Sequence, residues 1–392
     1  MKAAVAQTLR IGRAWVTPRE VLDRLDRPLV AATAALLLLG LVMVASASMP
    51  LAARATGDPF HYFLRQLGYA LAGVTGAGIV LQIPLATWER LGFTLMALAL
   101  FSLLIVLLPG VGRTTNGSTR WLDLGLIRVQ VSEPARLMLL LYLAGYLVRR
   151  HQEVRESVQG FVKPMLVLSL ACLLMLMEPD FGAASVLLAT ALVMLYVAGV
   201  RMWQFIALFS LSLAAMMLLV WSSPYRMQRL TGFLNPWQDP FSTGFQLTQS
   251  LIAIGSGHWF GVGLGSSVQK MFYLPEAYTD FLFAVLAEEL GLLGTLAVIA
   301  LYGVVVWRGM AIAARAARLQ RWFAAYLAQG LSAWIGLQAF INIGVNMGLL
   351  PTKGLTLPLM SYGGSSLLTT CVLTGLLLRI EVENRASVEG QV

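Results

Sequence analysis

The strongest constraint on this chain is a series of long apolar runs separated by short polar or glycine-rich segments. Each run has about 20 residues, which is the length an α-helix needs to cross the hydrocarbon core of a bilayer. The pattern predicts an all-α integral membrane protein with about ten transmembrane helices. The runs are residues 29–49, 65–84, 91–109, 133–149, 162–178, 181–199, 202–222, 279–307, 323–347 and 364–380.

The composition agrees with a surface that is covered by lipid. Hydrophobic residues make up 58% of the 392 positions and charged residues only 12%, whereas a soluble domain carries about 25% charged residues. The net charge of +9 could suggest nucleic acid, but the basic residues are spread over short loops between apolar runs. That distribution is typical of a membrane topology signal, so we expect no nucleic-acid partner.

Basic clusters indicate which helix ends face the cytoplasm. Lys and Arg concentrate in residues 1–28, 149–163 and 308–321, and such clusters stay on the cytoplasmic side. All three share one face if residues 247–265 are not an eleventh span, and the glycines of that segment disfavour a plain lipid-facing helix. We therefore expect both termini to be cytoplasmic, with a long extracytoplasmic loop, 223–278, between helices seven and eight. The expected parts are a basic leader (1–28), one transmembrane domain (29–380) and a cytoplasmic tail (381–392).

An acidic residue stands where that outer loop meets helix eight. The turn-rich segment Tyr273–Asp280 runs directly into the apolar segment Phe281–Leu290. Asp280 could cap the helix, because a carboxylate stabilises the positive end of the helix dipole. Apolar surroundings would also disfavour the charged carboxylate, which suits it to accept a proton. We favour the second role and predict that Asp280 is the catalytic residue.

Five other charged residues near the outer face are expected to support the structure. Glu288 and Glu289 are neighbours on a helix and point about 100° apart, so they are predicted to be separate ion-pair or hydrogen-bond anchors. Glu133 and Arg136 are three residues apart on helix four, share a face and are expected to pair. Asp180 lies in a tight acidic turn between helices five and six.

Basic residues on the same face predict an anionic ligand. Each one alone is expected to be an interfacial side chain that reaches lipid head groups. Together they flank the loops around the predicted acid, as a pyrophosphate ligand would require. Helix ten begins with two glycines, and backbone N–H groups at such a start bind phosphate oxygens. The predicted substrate-binding residues are Lys353, Arg120, Lys270, Arg113, Ser361, Gly363 and Gly364. The histidines and cysteines are too scattered for a metal site, and none is expected.

Six segments resemble the SEDS proteins of bacterial cell-envelope synthesis, in family order over nearly the whole chain. Two further segments, Leu350–Pro358 and Asn235–Pro240, resemble the cell-division branch (the FtsW type) more than the elongation branch (the RodA type). Two positions depart from the family pattern: Arg136 stands where lysine is common, and Glu178 where glutamine is more usual. The six segments are Asn116–Trp121, Ser132–Arg136, Glu178–Gly182, Gln246–Ser250, Tyr273–Asp280 with Glu288–Gly291, and Pro358–Ser366.

The resemblance implies a peptidoglycan glycosyltransferase (polymerase) of the cytoplasmic (inner) membrane that joins lipid II into β-1,4 glycan strands at the division septum. The family's essential acid matches Asp280. Implied partners are lipid II, the lipid-linked glycan strand, a class B penicillin-binding protein that acts as division transpeptidase, and other division-complex membrane proteins. A divalent cation, Mg²⁺ or Mn²⁺, is compatible with pyrophosphate chemistry, although no ligand cluster in the sequence requires one.

For this reaction we expect Asp280 to be the general base for the GlcNAc 4-hydroxyl. Undecaprenyl pyrophosphate would leave with inversion, and Lys353 and Arg120 would neutralise it. Three alternatives stay open: a lipid II flippase, an elongation-type polymerase, and a scaffold that recruits division enzymes. A flippase needs polar groups on both faces of the bilayer, whereas the informative polar residues here lie in the outer half.

Overall fold

The computed structural model describes residues 21–390 except 22, 116–117, 124, 126–127, 222–226, 228–231, 241, 243 and 352–353. The described elements are twelve helices and three short strands. In chain order they are α1 (Arg27–Thr56), α2 (His61–Gln82), α3 (Leu85–Val106), β1 (Gly112–Thr115), β2 (Ser118–Asp123), β3 (Arg128–Gln130), α4 (Ser132–Arg149), α5 (His151–Glu156), α6 (Val158–Met177), α7 (Phe181–Ala198), α8 (Met202–Trp221), α9 (Phe245–Ser256), α10 (Leu282–Arg318), α11 (Trp322–Asn346) and α12 (Gly364–Val388).

The long helices coincide with the apolar runs of the sequence. In the described part of the chain, ten helices have 18 or more residues, and each overlaps one predicted run. Seven of them are long and apolar enough to cross a membrane: α1, α2, α3, α6, α7, α10 and α12. The fold class, a helical multi-pass membrane protein, is confirmed, and the count of ten spans stays a prediction.

A small antiparallel sheet, which was not predicted from the sequence, lies between the end of α3 and the start of α4. Its strand order is β1-β2-β3. Arg113 pairs with Trp121 across the first two strands, and Trp121 pairs with Gln130 across the second two. The sheet carries Gln130 and Arg120 to the start of α7, where both approach Asp180.

The core lies around α4 and α12, whose residues are buried along almost their full length. Small residues allow α2 to pack closely on α12. A Cβ added at Gly73 would lie 2.8 Å from the Cys371 sulfur, and one added at Gly375 would lie 2.8 Å from the Ala77 carbonyl oxygen. Close backbone approach of this kind is a main source of helix association in bilayers, where no hydrophobic driving force acts between helices.

The C-terminal helix is longer than the sequence indicated. It continues to Val388, so residues 381–388 of the predicted tail belong to α12. Ion pairs hold this extension in place, because the buried Glu381 binds Arg315 and Arg385, and Glu383 binds Arg321; the cytoplasmic location of residues 381–392 stays a prediction. At the opposite terminus α1 begins at Arg27, and residues 1–20 of the predicted leader lie outside the described part.

The predicted outer loop 223–278 contains one helix, α9, which has 12 residues. This is well short of the roughly 20 residues that a span requires, as the sequence analysis expected for residues 247–265. After α9 the chain follows a series of turns to Phe281. These turns pack against a break in α10.

The break in α10 is at Gly291, whose backbone has φ +66° and ψ −164°. The carbonyl oxygens of Glu288 and Glu289 accept hydrogen bonds from the N–H groups of Val262 and Gly263 at 2.9 and 3.1 Å. Below the break, the Leu292 N–H donates to the His258 carbonyl at 2.9 Å. The loop after α9 therefore satisfies backbone groups that the break would leave unpaired, which is a requirement at membrane depth.

Candidate active site

Asp280 lies one residue before the N-cap of α10 and has a firmly held backbone. The cap residue is Phe281, which makes no side-chain capping bond. The Asp280 carbonyl oxygen accepts hydrogen bonds from the amides of Asn342 and Asn346 at 2.9 and 3.0 Å. The Asn346 side-chain oxygen in turn accepts from the Ala284 N–H at 3.1 Å. Both asparagines are buried on α11, so α11 fixes the acid's position from behind.

The sequence analysis did not single out these two asparagines. The sequence nevertheless contained an indication of their importance, because two asparagines stand four residues apart within the apolar run 323–347. Polar side chains in a membrane-spanning run are costly and usually have a functional or structural partner. Their i, i+4 spacing places both on one face of α11, which is the face that contacts Asp280.

The loop between α11 and α12 covers one side of the Asp280 carboxylate. A Cβ added at Gly354 would lie 2.9 Å from Asp280 Oδ2, so the loop approaches closely only because this residue has no side chain. The Asp280 side chain remains partly exposed. Lys353, the neighbouring residue and a predicted phosphate ligand, lies outside the described residues.

Three half-buried tyrosines lie beside the acid and join three elements. The Tyr62 and Tyr278 rings are 5.0 Å apart, and the Tyr362 ring is 5.4 Å from each of them. The Tyr362 N–H donates to the Tyr278 carbonyl at 3.0 Å. Burial, followed by the neighbouring Tyr62 and Glu276, raises the pKa of Tyr278 well above its usual value. Tyr278 is therefore a neutral phenol and not a competing base.

The glycine-rich start of α12 is anchored by α2. Gln66 donates to the Ser361 carbonyl at 3.0 Å and accepts from the Gly363 N–H at 3.3 Å. The Ser361 hydroxyl accepts from the Leu357 N–H at 3.0 Å. A Cβ added at Gly364 would lie within 2.9 Å of the Tyr69 ring. These contacts give Ser361 and Gly363 protein partners, so their binding of phosphate stays a prediction.

Arg120 and Asp180 meet where β2 passes the start of α7. Asp180 caps α7 by accepting from the Ala183 N–H at 3.1 Å, and its other oxygen accepts from the Ser132 hydroxyl at 2.7 Å. The Arg120 guanidinium is 3.9 Å from Asp180, and 26% of its side chain is exposed. Arg120 is thus loosely held by one carboxylate and open to the outside.

Arg113 lies apart from this cluster, on the exposed strand β1. It pairs with Asp123, and Arg128 approaches the same carboxylate at 3.6 Å. The hydrogen bond from Arg113 lowers the pKa of Asp123. The structure therefore gives Arg113 a partner on the sheet, and its binding of substrate stays a prediction.

Glu133 and Arg136 form the pair that their spacing predicted. The salt bridge is 2.5 Å long and buried at the start of α4. Arg136 also donates to the Gln338 side-chain oxygen at 3.3 Å and lies 4.6 Å from the Trp334 ring. Gln338 donates onward to the Thr356 carbonyl at 3.0 Å. This chain of contacts ties α4 and α11 to the loop that contacts Asp280.

Glu288 and Glu289 hold the same turn after α9, since Ser267 donates its hydroxyl to Glu288 and its N–H to Glu289; the two are not the separate anchors that their positions on the helix predicted. Glu288 accepts from the Val268 N–H at 2.9 Å and from the Ser267 hydroxyl at 2.5 Å. Glu289 binds the Lys270 ammonium at 2.6 Å. The Ser46 hydroxyl on α1 donates to Glu289 at 2.7 Å and accepts from Lys270 at 2.8 Å.

Lys270 was predicted to bind substrate, but the structure places it in this internal ion pair. The residue is only 6% exposed, and its ammonium has two protein partners. We therefore assign Lys270 to the support of the loop. Sequence position alone could not distinguish this from an outward-facing role, because the partner on α1 is more than 200 residues away.

The described residues therefore offer a partly exposed acid whose backbone is held by α11, and, on the small sheet, a guanidinium 3.9 Å from Asp180. Within those residues no three His, Cys, Asp or Glu side chains come together as a metal site. The described residues therefore do not fit a cation site made of protein ligands alone.

Residues 27–386 match the model of the FtsW/RodA/SpoVE family, described as cell cycle proteins. The chain is 60% identical over 361 residues to a protein of Thioalkalivibrio sulfidiphilus named probable peptidoglycan glycosyltransferase FtsW, covering 92% of this chain and 90% of that protein. A protein of the same name from Halorhodospira halophila is 57% identical, with 94% and 93% covered.

Solved structures of similar fold are also known. One comes from work on a peptidoglycan synthase complex that coordinates polymerisation and crosslinking. Its TM-score is 0.74 at 31% identity, covering 92% of this chain and 98% of that one. The crystal structure of the rod shape determining protein RodA of Thermus thermophilus gives a TM-score of 0.67 at 29% identity, covering 91% and 96%.

Proposed function

Because this chain belongs to the FtsW/RodA/SpoVE family, we propose that it is a peptidoglycan glycosyltransferase that polymerises lipid II on the outer face of the membrane. Relatives named probable peptidoglycan glycosyltransferase FtsW are 52–60% identical to it, against 29% for the RodA structure. These identities favour the division-type enzyme over the elongation type.

The observation that carries the proposal is the geometry around Asp280. Its side chain is partly exposed, while two side-chain amides on α11 donate hydrogen bonds to its backbone carbonyl. A group that is rigidly placed and reachable from outside suits proton transfer to a bound substrate.

In the proposed reaction, Asp280 takes the proton of the GlcNAc 4-hydroxyl of lipid II. The oxygen attacks C1 of the lipid-linked MurNAc at the end of the growing strand, and the bond from C1 to the pyrophosphate breaks. Undecaprenyl pyrophosphate leaves with the bonding electron pair. A single displacement inverts C1, so an α-linked donor gives a β-1,4 glycan.

The leaving pyrophosphate requires cations, and Arg120 and Lys353 are our candidates. Guanidinium groups bind phosphate oxygens in a bidentate manner, and Arg120 is open to the outside with one distant carboxylate partner. Mg²⁺ or Mn²⁺ could also bind the pyrophosphate, but the described residues do not fit a cation site made of protein ligands alone.

We further propose the surroundings in which the enzyme works. It would be located in the cytoplasmic membrane at the division septum, with both termini in the cytoplasm, because the basic clusters lie on that side in the predicted topology. Its substrates would be lipid II and the lipid-linked glycan strand. A class B penicillin-binding protein would crosslink the product, in keeping with the peptidoglycan synthase complex that shares this fold, and other division-complex membrane proteins would join it.

The test is polymerisation of purified lipid II by the purified protein, with and without the transpeptidase, read as glycan length on a gel. Asp280→Asn keeps the size of the side chain and removes the base, so we expect the rate to fall at least about 100-fold. Asp58→Asn, an acid-to-amide change at an exposed outer position, is the matched control and should polymerise normally. Wild-type activity retained in Asp280→Asn would refute the role of the base.

A further inference from the structure

Glu178 is a buried acid with unsatisfied oxygens. It follows the last residue of α6, where its N–H donates to the Leu174 carbonyl at 3.1 Å. The side chain is 0% exposed, and neither carboxyl oxygen has a hydrogen-bond partner among the described residues. Most buried carboxylates in proteins are paired or hydrogen-bonded, because an isolated buried charge is very costly.

This environment keeps the proton on Glu178 at neutral pH. Burial is the largest influence, repulsion from Asp180 adds to it, and attraction to Arg120 opposes it; together they raise the pKa of Glu178 to about 8. Asp180 has its own donors and caps α7. A neutral Glu178 removes the like-charge conflict between residues that are two apart.

Arg120 is the group that would respond if Glu178 lost its proton. The Arg120 Nε is buried without a hydrogen-bond partner in the described residues, and its guanidinium is 3.9 Å from Asp180. Two charged groups therefore act on Glu178, one on β2 and one on α7. The Glu133–Arg136 pair on α4 borders the same cluster, since Glu133 interacts electrostatically with both Asp180 and Arg120. Glu133 and Arg136 already form a salt bridge of 2.5 Å with each other.

We propose that Glu178 is a positioning residue for Arg120. When the Glu178 carboxyl is neutral, the Arg120 guanidinium can bind the pyrophosphate of the lipid-linked donor. When Glu178 is ionised, it attracts the guanidinium away from that ligand. This inference rests on the proposed function. It makes phosphate binding by Arg120 decline in alkaline solution, although no arginine titrates there. The ligand class is a lipid-linked pyrophosphate.

The matched variant is Glu178→Gln, which has nearly the same shape and stays neutral at every pH. With a pKa of about 8, the neutral fraction of Glu178 falls about tenfold between pH 7 and pH 9. We expect the wild-type rate at subsaturating lipid II to fall about tenfold more than the Glu178→Gln rate over that interval. The loss should appear mainly as a raised KM, because the change weakens ligand binding.

Two controls separate positioning from a structural role. In an Arg120→Ala background, Glu178→Gln should no longer change the pH profile, because the partner is absent. Thermal unfolding at pH 7 and pH 9 checks that each variant is folded in both buffers. If wild type and Glu178→Gln have parallel pH profiles while both retain Arg120, the proposal is overturned.

A binding measurement keeps this inference separate from the proposed function. Affinity for a short-chain polyprenyl pyrophosphate, titrated at pH 7 and pH 9, needs no turnover. We expect wild-type affinity to weaken about tenfold at pH 9 and Glu178→Gln affinity to change less than about twofold, following the same loss of neutral Glu178. Equal weakening in both proteins would refute the role of Glu178, whereas absence of polymer from wild type would refute only the proposed enzyme activity.

Discussion

Replacing Gly291 by alanine tests whether the break in α10 is built by close packing. Gly291 has φ +66°, and a Cβ there would lie 2.3 Å from the Gly261 nitrogen and 2.7 Å from the Phe260 nitrogen. Neither contact is sterically allowed, and both are with backbone atoms, which cannot turn away as a side chain would. The loop after α9 must therefore move when Gly291 becomes alanine.

The magnitude follows from two terms. An alanine held in a region of backbone space that essentially only glycine occupies costs about 1–3 kcal/mol. Overpacking against a fixed neighbour costs about 1–3 kcal/mol more. Together the free energy of unfolding should fall by roughly 2–6 kcal/mol, before any loss of the bonds that Val262 and Gly263 donate across the break. At about 2 °C per kcal/mol in a large chain, the melting temperature should fall by roughly 4–12 °C.

The assay is thermal unfolding in detergent, and the chain contains a matched control. Gly303 lies on the same helix, and a Cβ added there meets no atom within 4 Å. Gly303→Ala should leave the melting temperature unchanged or raise it slightly, since alanine favours a helix by about 1 kcal/mol. If Gly291→Ala melts at the same temperature as Gly303→Ala, the reasoning about the break is wrong.

Three other changes probe the site and its supports. Gly354→Ala would place a Cβ 2.9 Å from Asp280 Oδ2, so polymerisation should drop at least about tenfold for a misplaced base while the melting temperature changes little. Lys270→Met leaves Glu289 as an unpaired buried charge and should destabilise the protein by about 3–5 kcal/mol; adding Glu289→Leu should restore much of this in the same melting assay. The pKa of Glu178, raised from 4.5 to about 8, means that the folded protein binds a proton that the unfolded chain releases. Stability should therefore fall by up to about 1.4 kcal/mol per pH unit from pH 5 towards pH 8 in the wild type, and less in Glu178→Gln, as melting curves at both pH values would show.

The helices were predictable because each is a local pattern. A run of about 20 apolar residues must be helical in a bilayer, since its backbone groups can pair only within the segment. The sheet was missed for the opposite reason, because its strands have only three to six residues. The Asn116-Gly117 pair between β1 and β2 was a usable hairpin signal, but its own structure lies outside the described residues.

The role of Lys270 was not predictable from the sequence, because its partners meet only when the turn after α9 folds onto α10 and α1. Lys270 is charged and near the predicted outer loop, which fits a ligand role, yet it binds the buried Glu289 and the Ser46 hydroxyl. The end of α12 was set too early because Glu381 and Glu383 appear polar in isolation. Their i, i+4 partners Arg385 and Arg379 on the same helix were visible in the sequence, whereas Arg315 on α10 and Arg321 at the N-cap of α11 follow only from the assembled fold.

The broken helix explains how a loop residue can be held well enough for chemistry. The segment between Asp280 and Gly291 is buried along nearly all its length, so protein and not lipid surrounds it. Asn346 fixes its upper end, and Glu288 fixes its lower end through the turn at residues 267–269. Because both ends are held by neighbouring elements, Asp280 should keep its position when lipids around α10 move. A single continuous helix would instead transmit its tilt in the bilayer directly to Asp280, so a break about three turns below that residue suits the proposed role of a fixed base.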